Sequence, residues 1–222
     1  MNIVLGYLTS YIYVIGLLVA LSVFKKTCKA QDNDIFRKLV HIFIAFTWFI
    51  LSRYLYGTWH FVIMPFSFVV ITALSTKYSL IKIVQRSKYA GKDRGIIHYA
   101  ISMTLICLVA HCDPRYLIPC GMGVFALSFG DGAAAVFGQA FQKTNIHITK
   151  TKTLAGSISC FVFVISGILI LRAIAPFSIS LAHLLTIGAT ASLSEIAGGR
   201  LDNYSVPFSV MIAAALMRIG EV

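Results

Sequence analysis

From Leu39 to Thr76 the chain passes through 38 residues with one charged side chain, Arg53. As a single helix that stretch would be about 57 Å long at 1.5 Å per residue. A bilayer core is only about 30 Å thick and takes roughly 20 apolar residues per helical crossing. Two crossings with a reversal between them fit, and one does not. Gly57 is the natural site for the reversal, and Trp48, Tyr54, Tyr56 and Trp59 around it are expected to form an interfacial aromatic belt.

The same pattern fills the rest of the 222 residues. Apolar residues are 58% and charged ones 12%, with a mean hydropathy of +0.84. A soluble domain runs near half apolar and a quarter charged. Apolar segments fall at about 3–24, 39–56, 59–76, 95–112, 116–140, 154–172, 179–197 and 204–219, with another turn at Asp113-Pro114-Arg115. The expectation is an all-α, polytopic membrane bundle of about eight helices, or seven if the short last segment does not span. It would form a single integral membrane domain over 1–222. Chemistry must then come from helix ends and short connections.

Orientation follows from the basic residues. Alternating the segments puts 15 of the 19 on one side. These are Lys25, Lys26, Lys29, Arg37 and Lys38, then Lys77, Lys82, Arg86, Lys88, Lys92 and Arg94, then Lys143, Lys150 and Lys152, and Arg200. Arg53, Arg115, Arg172 and Arg218 fall on the other side. The positive-inside rule makes the first side cytoplasmic and the N-terminus external. The first segment has no basic residue before it and no cleavage signature, so it reads as a retained helix. Topology accounts for the net charge of +11 without a nucleic acid. The five cysteines show no CxxC and no metal spacing, and read as small hydrophobes.

Two acids lie inside apolar segments, Asp131 and Glu195. An intramembrane charge costs roughly 2.5–3.5 kcal/mol on insertion scales and calls for a function. Asp131 sits in Ser128-Phe-Gly-Asp-Gly-Ala-Ala-Ala-Val-Phe-Gly138. Gly130, Ala134 and Gly138 suit helix packing, but an aspartate between Gly130 and Gly132 also suits a local break with backbone donors beside a carboxylate. Such a site would hold a cation or a magnesium–phosphate group. Glu195 and Asp202 bracket Gly198-Gly199-Arg200, with Asn203 following, and together favour magnesium coordination. Lys152 precedes Gly156 and Ser157 at a helix start, a pattern that suits phosphate oxygens. Arg37 and Lys38 are either snorkelling anchors or phosphate ligands. His41 shares their helix face at i+4 and i+3 and would serve as a base or phosphate donor near neutral pH. The other histidines read as interfacial polar residues. Arg37, Lys38 and His41, Lys152, Gly156 and Ser157, and Glu195, Asp202 and Asn203 all fall at the expected cytoplasmic boundary, and Asp131 approaches it from within the fifth segment.

Four pieces occur in order: RKLVH at Arg37–His41, SFGDGAAAVFG at Ser128–Gly138, KTLAGS at Lys152–Ser157, and Glu195 with DNYSVP at Asp202–Pro207. In these the chain resembles the membrane lipid kinases that include phytol kinase, dolichol kinase and CTP-dependent diacylglycerol kinases. The pieces span most of the chain. Two positions depart from the family pattern: Ala135, where a second acid is common, and Gln142, where a glycine is. The family is also similar to CDP-diacylglycerol synthases around the GDG helix.

The resemblance implies transfer of a nucleotide's terminal phosphoryl group, commonly from CTP with Mg²⁺, to a hydroxyl of a membrane lipid. Asp131 with Glu195 or Asp202 would hold the metal. Arg37, Lys38 and Lys152 would neutralise phosphate, while Gly130, Gly132, Gly156 and Ser157 allow close approach. Asn203 would orient a water or phosphate. Either Asp131 or His41 would take the hydroxyl proton. A cytidylyltransferase forming a CDP-lipid and an ion-coupled transporter are the alternatives.

Overall fold

The computed structural model describes residues 2–29, 33–78, 95–141, 146–149 and 152–220, apart from the side chains of residues 33, 34 and 200. Lys82, Arg86, Lys88, Lys92, Arg94, Lys143 and Lys150, counted above in the basic connections, lie outside the described residues, as does Gln142. Among the described residues every regular element is a helix, with one isolated antiparallel bridge between His147 and Thr153. Among the described residues six helices are long and apolar enough to cross a membrane: Ile3–Thr27, Ile35–Tyr54, His60–Tyr78, Gly95–Cys112, Pro114–Ala140 and Leu154–Ile174. The chain divides into two compact units, Met1–His111 and Cys112–Val222.

The first unit holds α1 (Ile3–Thr27), α2 (Asn33–Ile44), α3 (Thr47–Tyr54), α4 (His60–Tyr78) and α5 (Gly95–Cys112). Asn2 caps α1, its side chain accepting from Leu5 N at 3.1 Å. α2 and α3 form one span with a tight joint at Ala45–Phe46, where Phe46 N bonds Phe43 O and Trp48 N bonds Ala45 O. There the Thr47 hydroxyl donates to Ile44 O at 2.7 Å, a back-bond of the kind that bends helices. The expected reversal occurs at Gly57, whose φ of +82° is open to glycine and strained for other residues.

The aromatic belt is corrected in one member. Trp48 is buried at 3% exposure, edge-on to Phe61 with centroids 5.6 Å apart, because Thr47, Trp48 and Leu51 make the inward face of α3. Trp59 does lie outward, at 62% exposure.

Contacts along α1 set the helix directions. The start of α1 meets the end of α3: a Cβ on Gly6 would come within 2.9 Å of both Leu55 Cγ and Tyr54 Cβ. Its far end, at Leu17, Leu18 and Leu21, packs on Phe36 and Val40 of α2, with Ile96 of α5 joining them. Against α4 the order runs the other way, Tyr7 OH bonding His60 Nδ1 at 3.1 Å and Tyr11 OH bonding Ser67 Oγ at 2.7 Å. α1 is therefore antiparallel to α2–α3 and parallel to α4.

The second unit opens on a single 3-10 turn, Pro114–Tyr116, followed by α6 (Leu117–Phe125), a π-helical stretch (Ala126–Asp131) and α7 (Gly132–Ala140). Then come α8 (Leu154–Ile174), α9 (Leu181–Gly198) and α10 (Asp202–Leu216). These last two occupy the seventh and eighth apolar segments, and α10 has only 15 residues. Small residues bring the helices close, as they do where lipid supplies no hydrophobic drive between helices. Gly167 of α8 lies under the Phe129 ring, and Gly123 of α6 lies against the Pro207 carbonyl. Serines tie the remaining helices together. Ser192 donates to Ser157 O at 2.8 Å, Ser205 to Ser194 O at 3.0 Å, and Ser209 to Ser194 Oγ at 2.9 Å.

Substituting valine at Gly6 forces α1 off α3. Gly6→Val is expected to lower stability by about 1–3 kcal/mol, the usual cost of overpacking, read as a lower unfolding temperature in detergent micelles. Gly16, which meets nothing within 4 Å, takes the same substitution with a far smaller change.

Candidate functional site

Lys152 is carried by a short hairpin. Ile148 N bonds Lys152 O at 2.9 Å, Leu154 N bonds Ile146 O at 2.8 Å, and Lys152 N bonds Thr149 Oγ1 at 3.1 Å. Thr153 then caps α8, its hydroxyl oxygen accepting from Gly156 N at 3.3 Å. From this platform the Lys152 ammonium reaches two acids, Glu195 Oε1 at 2.6 Å and Asp202 Oδ2 at 2.8 Å. Glu195 sits in the last turn of α9 and Asp202 opens α10, where a carboxylate is favoured by the helix dipole. Ser157 Oγ donates to the other Glu195 oxygen at 3.2 Å.

All three charged groups are withdrawn from solvent, with side-chain exposures of 12% for Lys152, 4% for Glu195 and 17% for Asp202. Burial by itself would lower the Lys152 ammonium. The charges of Asp202 and Glu195 and their hydrogen bonds outweigh it and hold the group above its ordinary value of 10.5.

Asp131 ends the π-helical stretch and is 5% exposed. The Cys160 thiol on α8 lies within electrostatic reach of Glu195, Asp131, Lys152 and Asp202, so these four charges share one neighbourhood. A Cβ on Gly130 would lie 3.1 Å from that thiol and 2.7 Å from Val164 Cγ2. α8 thus approaches the aspartate's helix through glycine and cysteine.

Several expected roles change here. The helix does not break at Gly130-Asp131-Gly132. It widens by a π turn, and Gly132 N–H stays in the ladder, bonding Ser128 O and Phe129 O. Gly130 and Gly156 face neighbouring helices rather than open space; a Cβ on Gly156 would sit 3.0 Å from Ala134 O. The Gly156 N–H serves the Thr153 cap and the Ser157 hydroxyl serves Glu195, so neither points to a phosphate in this state. Asn203 N bonds Asp202 Oδ1 at 2.9 Å, while the buried Asn203 Oδ1 has no hydrogen-bond partner among the described residues.

Arg37, Lys38 and His41 lie in α2 of the first unit. They are 8%, 8% and 2% exposed, so the two basic side chains do not extend outward as snorkelling anchors. The His41 ring lies 4.4 Å from that of Tyr99, centroid to centroid, and Tyr99 OH donates to His41 O at 3.1 Å. Of the other histidines, His60 bonds Tyr7 and the His111 ring lies tilted against Trp59, centroids 4.5 Å apart.

The chemistry of the carboxylates, though not their present arrangement, is that of ligands for a hard cation. Three carboxylates against one lysine leave two formal negative charges, and magnesium typically takes one or two carboxylates with phosphate and water completing its shell. Among the described residues no group of three His, Cys, Asp or Glu side chains converges as a ready metal cage. The Lys152 ammonium instead stands between Glu195 and Asp202. Sequence reasoning treated Cys160 as an ordinary apolar residue. Its signal was positional, since Gly156, Cys160, Val164, Gly167 and Leu171 make one buried stripe of α8 at helical spacing.

No family model, curated protein or solved structure matches the chain.

Breaking a buried ion pair from one side costs about 3–5 kcal/mol. Lys152→Met is therefore expected to lower the unfolding temperature markedly, and the double variant Lys152→Met/Glu195→Gln to recover part of the loss. Because the folded Lys152 is raised, its stabilising contribution is complete below its ordinary 10.5 and fades as pH climbs through the higher folded value. Melting curves from pH 7 to 11 should show the wild type converging on Lys152→Met only at the alkaline end.

Proposed function

We propose that this chain is a lipid-alcohol kinase of the phytol, dolichol and diacylglycerol kinase type, moving the terminal phosphoryl group of CTP to a membrane-embedded hydroxyl. It crosses the bilayer eight times with its N-terminus outside and works at the cytoplasmic face. One observation carries the reading: Lys152 pairs with Glu195 and Asp202 out of water, and buried Asp131, from a third motif piece, lies within electrostatic reach of Cys160 on α8, as those three charges do. Phosphoryl transfer needs chiefly positioning and charge stabilisation, so a few fixed charges suffice.

The Lys152 ammonium leaves its acids for the phosphate oxygens of the nucleotide, and Asp131, Glu195 and Asp202 would be the residues to hold an accompanying Mg²⁺. Mg²⁺ held there would neutralise charge on the transferring group. The lipid oxygen bonds to the terminal phosphorus, the bridging P–O bond breaks, and CDP leaves. The hydroxyl proton passes to Asp131, and the buried Asn203 Oδ1 accepts from a water at the nucleotide; Arg37, Lys38 and the alternative base His41 belong to the first unit and enter this reading through the resemblance alone.

Purified protein given labelled CTP and a lipid alcohol should yield CDP and a lipid phosphate. Asp131→Asn should cut turnover by at least about a hundredfold, the scale of losing one electrostatic stabiliser. Full activity in that variant, or pyrophosphate and a CDP-lipid as products, would overturn the reading. For topology, the two exposed cysteines are native reporters. In sealed vesicles of known orientation, an impermeant maleimide should label Cys112 from the external side and Cys28 from the cytoplasmic side; labelling of both from one side would exclude the eight-crossing arrangement.

A further inference from the structure

Each acid beside Lys152 is held by the protein through one oxygen and gives the other to the ammonium. Glu195 Oε2 accepts from the Ser157 hydroxyl at 3.2 Å, leaving Oε1 to Lys152 Nζ at 2.6 Å. Asp202 Oδ1 accepts from Asn203 N at 2.9 Å, leaving Oδ2 to the same Nζ at 2.8 Å. Neither carboxylate owes its orientation to the lysine alone. Outer hydrogen bonds of this kind are how proteins aim the carboxylates that a hard cation takes as ligands. Lys152 is the movable member, its charge riding on a flexible four-carbon stem. Its hairpin is held through the backbone, by Lys152 N on Thr149 Oγ1, and not through the ammonium.

Charge balance closes this arrangement to either kind of ion alone. One ammonium between two carboxylates leaves a single negative charge, and none of the three side chains is more than 17% exposed. A divalent cation arriving by itself meets an ammonium already seated on both available oxygens, and like charges in contact repel strongly where water is scarce. A polyphosphate arriving by itself draws Lys152 away only by leaving two withdrawn carboxylates unpaired beside an added anion. Arriving together, each ion removes the other's penalty: the phosphate takes the lysine and the cation takes the acids.

We propose that Lys152 is the resident cation of this site, keeping Glu195 and Asp202 closed to a free divalent cation until a polyphosphate draws it off, so that cation and polyphosphate bind as a pair. Naming the polyphosphate as a nucleotide's rests on the kinase reading; the exclusion of a free cation by Lys152 stands without it. Reciprocal coupling between two ligands commonly changes affinity by about 5- to 150-fold.

The test uses the purified full-length protein in detergent micelles without a lipid acceptor, with Mn²⁺ as a paramagnetic stand-in for Mg²⁺ read by electron paramagnetic resonance. Wild type should bind Mn²⁺ alone weakly, and Lys152→Met at least about tenfold more tightly. Mn²⁺ should also raise the unfolding temperature of Lys152→Met, which lacks its internal cation, and leave that of the wild type unchanged. Lys152→Met/Glu195→Gln should lose both effects, which separates the site from weak surface binding. Should Lys152→Met not fold, the wild type decides alone. Mg²⁺ and inorganic tripolyphosphate together should raise its unfolding temperature by more than the sum of their separate effects. Equal Mn²⁺ affinity in wild type and Lys152→Met, or a wild type stabilised as well by Mg²⁺ alone as by the pair, would overturn the inference and leave the kinase reading standing. Paired binding without phosphoryl transfer from CTP to a lipid hydroxyl would sink the kinase reading and leave the role of Lys152 intact.

Discussion

The Lys152 ammonium lies 2.6 Å from Glu195 and 2.8 Å from Asp202, and three stretches of chain depend on that contact. A lone charge withdrawn from water is costly, and each of these groups is nearly enclosed. Pairing them makes the hairpin before α8, the end of α9 and the start of α10 mutually necessary. Ser157 fills the second Glu195 oxygen, and Ser192 returns a hydrogen bond to the Ser157 backbone. The ion pair is thus the polar centre of a ladder that continues through Ser194, Ser205 and Ser209. An arrangement satisfied in the absence of ligand can also be exchanged for phosphate, because phosphate offers the lysine the same charge-assisted bonds.

Asp131 reaches this neighbourhood through backbone geometry. One extra residue in the helical ladder turns everything after it by about 100° relative to an unbroken α-helix. The π stretch at Ala126–Asp131 therefore sets which residues of α7 meet α8, and it lies wholly in the interior. π turns of this kind concentrate at functional positions. Glycines supply the other half of the solution: Gly130 and Gly156 let α8 approach so closely that even a Cβ would crowd its neighbours, 2.7 Å from Val164 Cγ2 at the first and 3.0 Å from Ala134 O at the second. Residues that look suited to phosphate are, in this state, what makes the carboxylates neighbours.

The two units solve different problems with the same material. In the second, small residues and serines bring backbones together and leave charge as the main feature. In the first, bulky apolar side chains hold α1, α2–α3, α4 and α5 around a chamber, with the His41 and Tyr99 rings tilted against each other on its wall. Large side chains such as Phe68 and Met64 line the chamber, where glycine faces would have let the helices close.

Much of this was written in the residues themselves. Bilayer thickness against helix rise forces the reversal at Gly57, and the scarcity of charge in the apolar segments forces helices, because no other open structure satisfies its backbone in lipid. The same economy singled out Asp131 and Glu195, and spacing alone put His41 on the face of Arg37 and Lys38. Tertiary structure decided what spacing does not encode: which residues from distant segments meet, and whether a small residue faces a ligand or another helix. Lys152 proved to be held by Glu195 and Asp202, Ser157 to serve Glu195, Trp48 to be core, and Cys160 to lie among the charges. Each outcome depends on the approach and rotation of one helix against another. Those are set by summed packing over many side chains, which a linear pattern of apolar and polar residues does not specify.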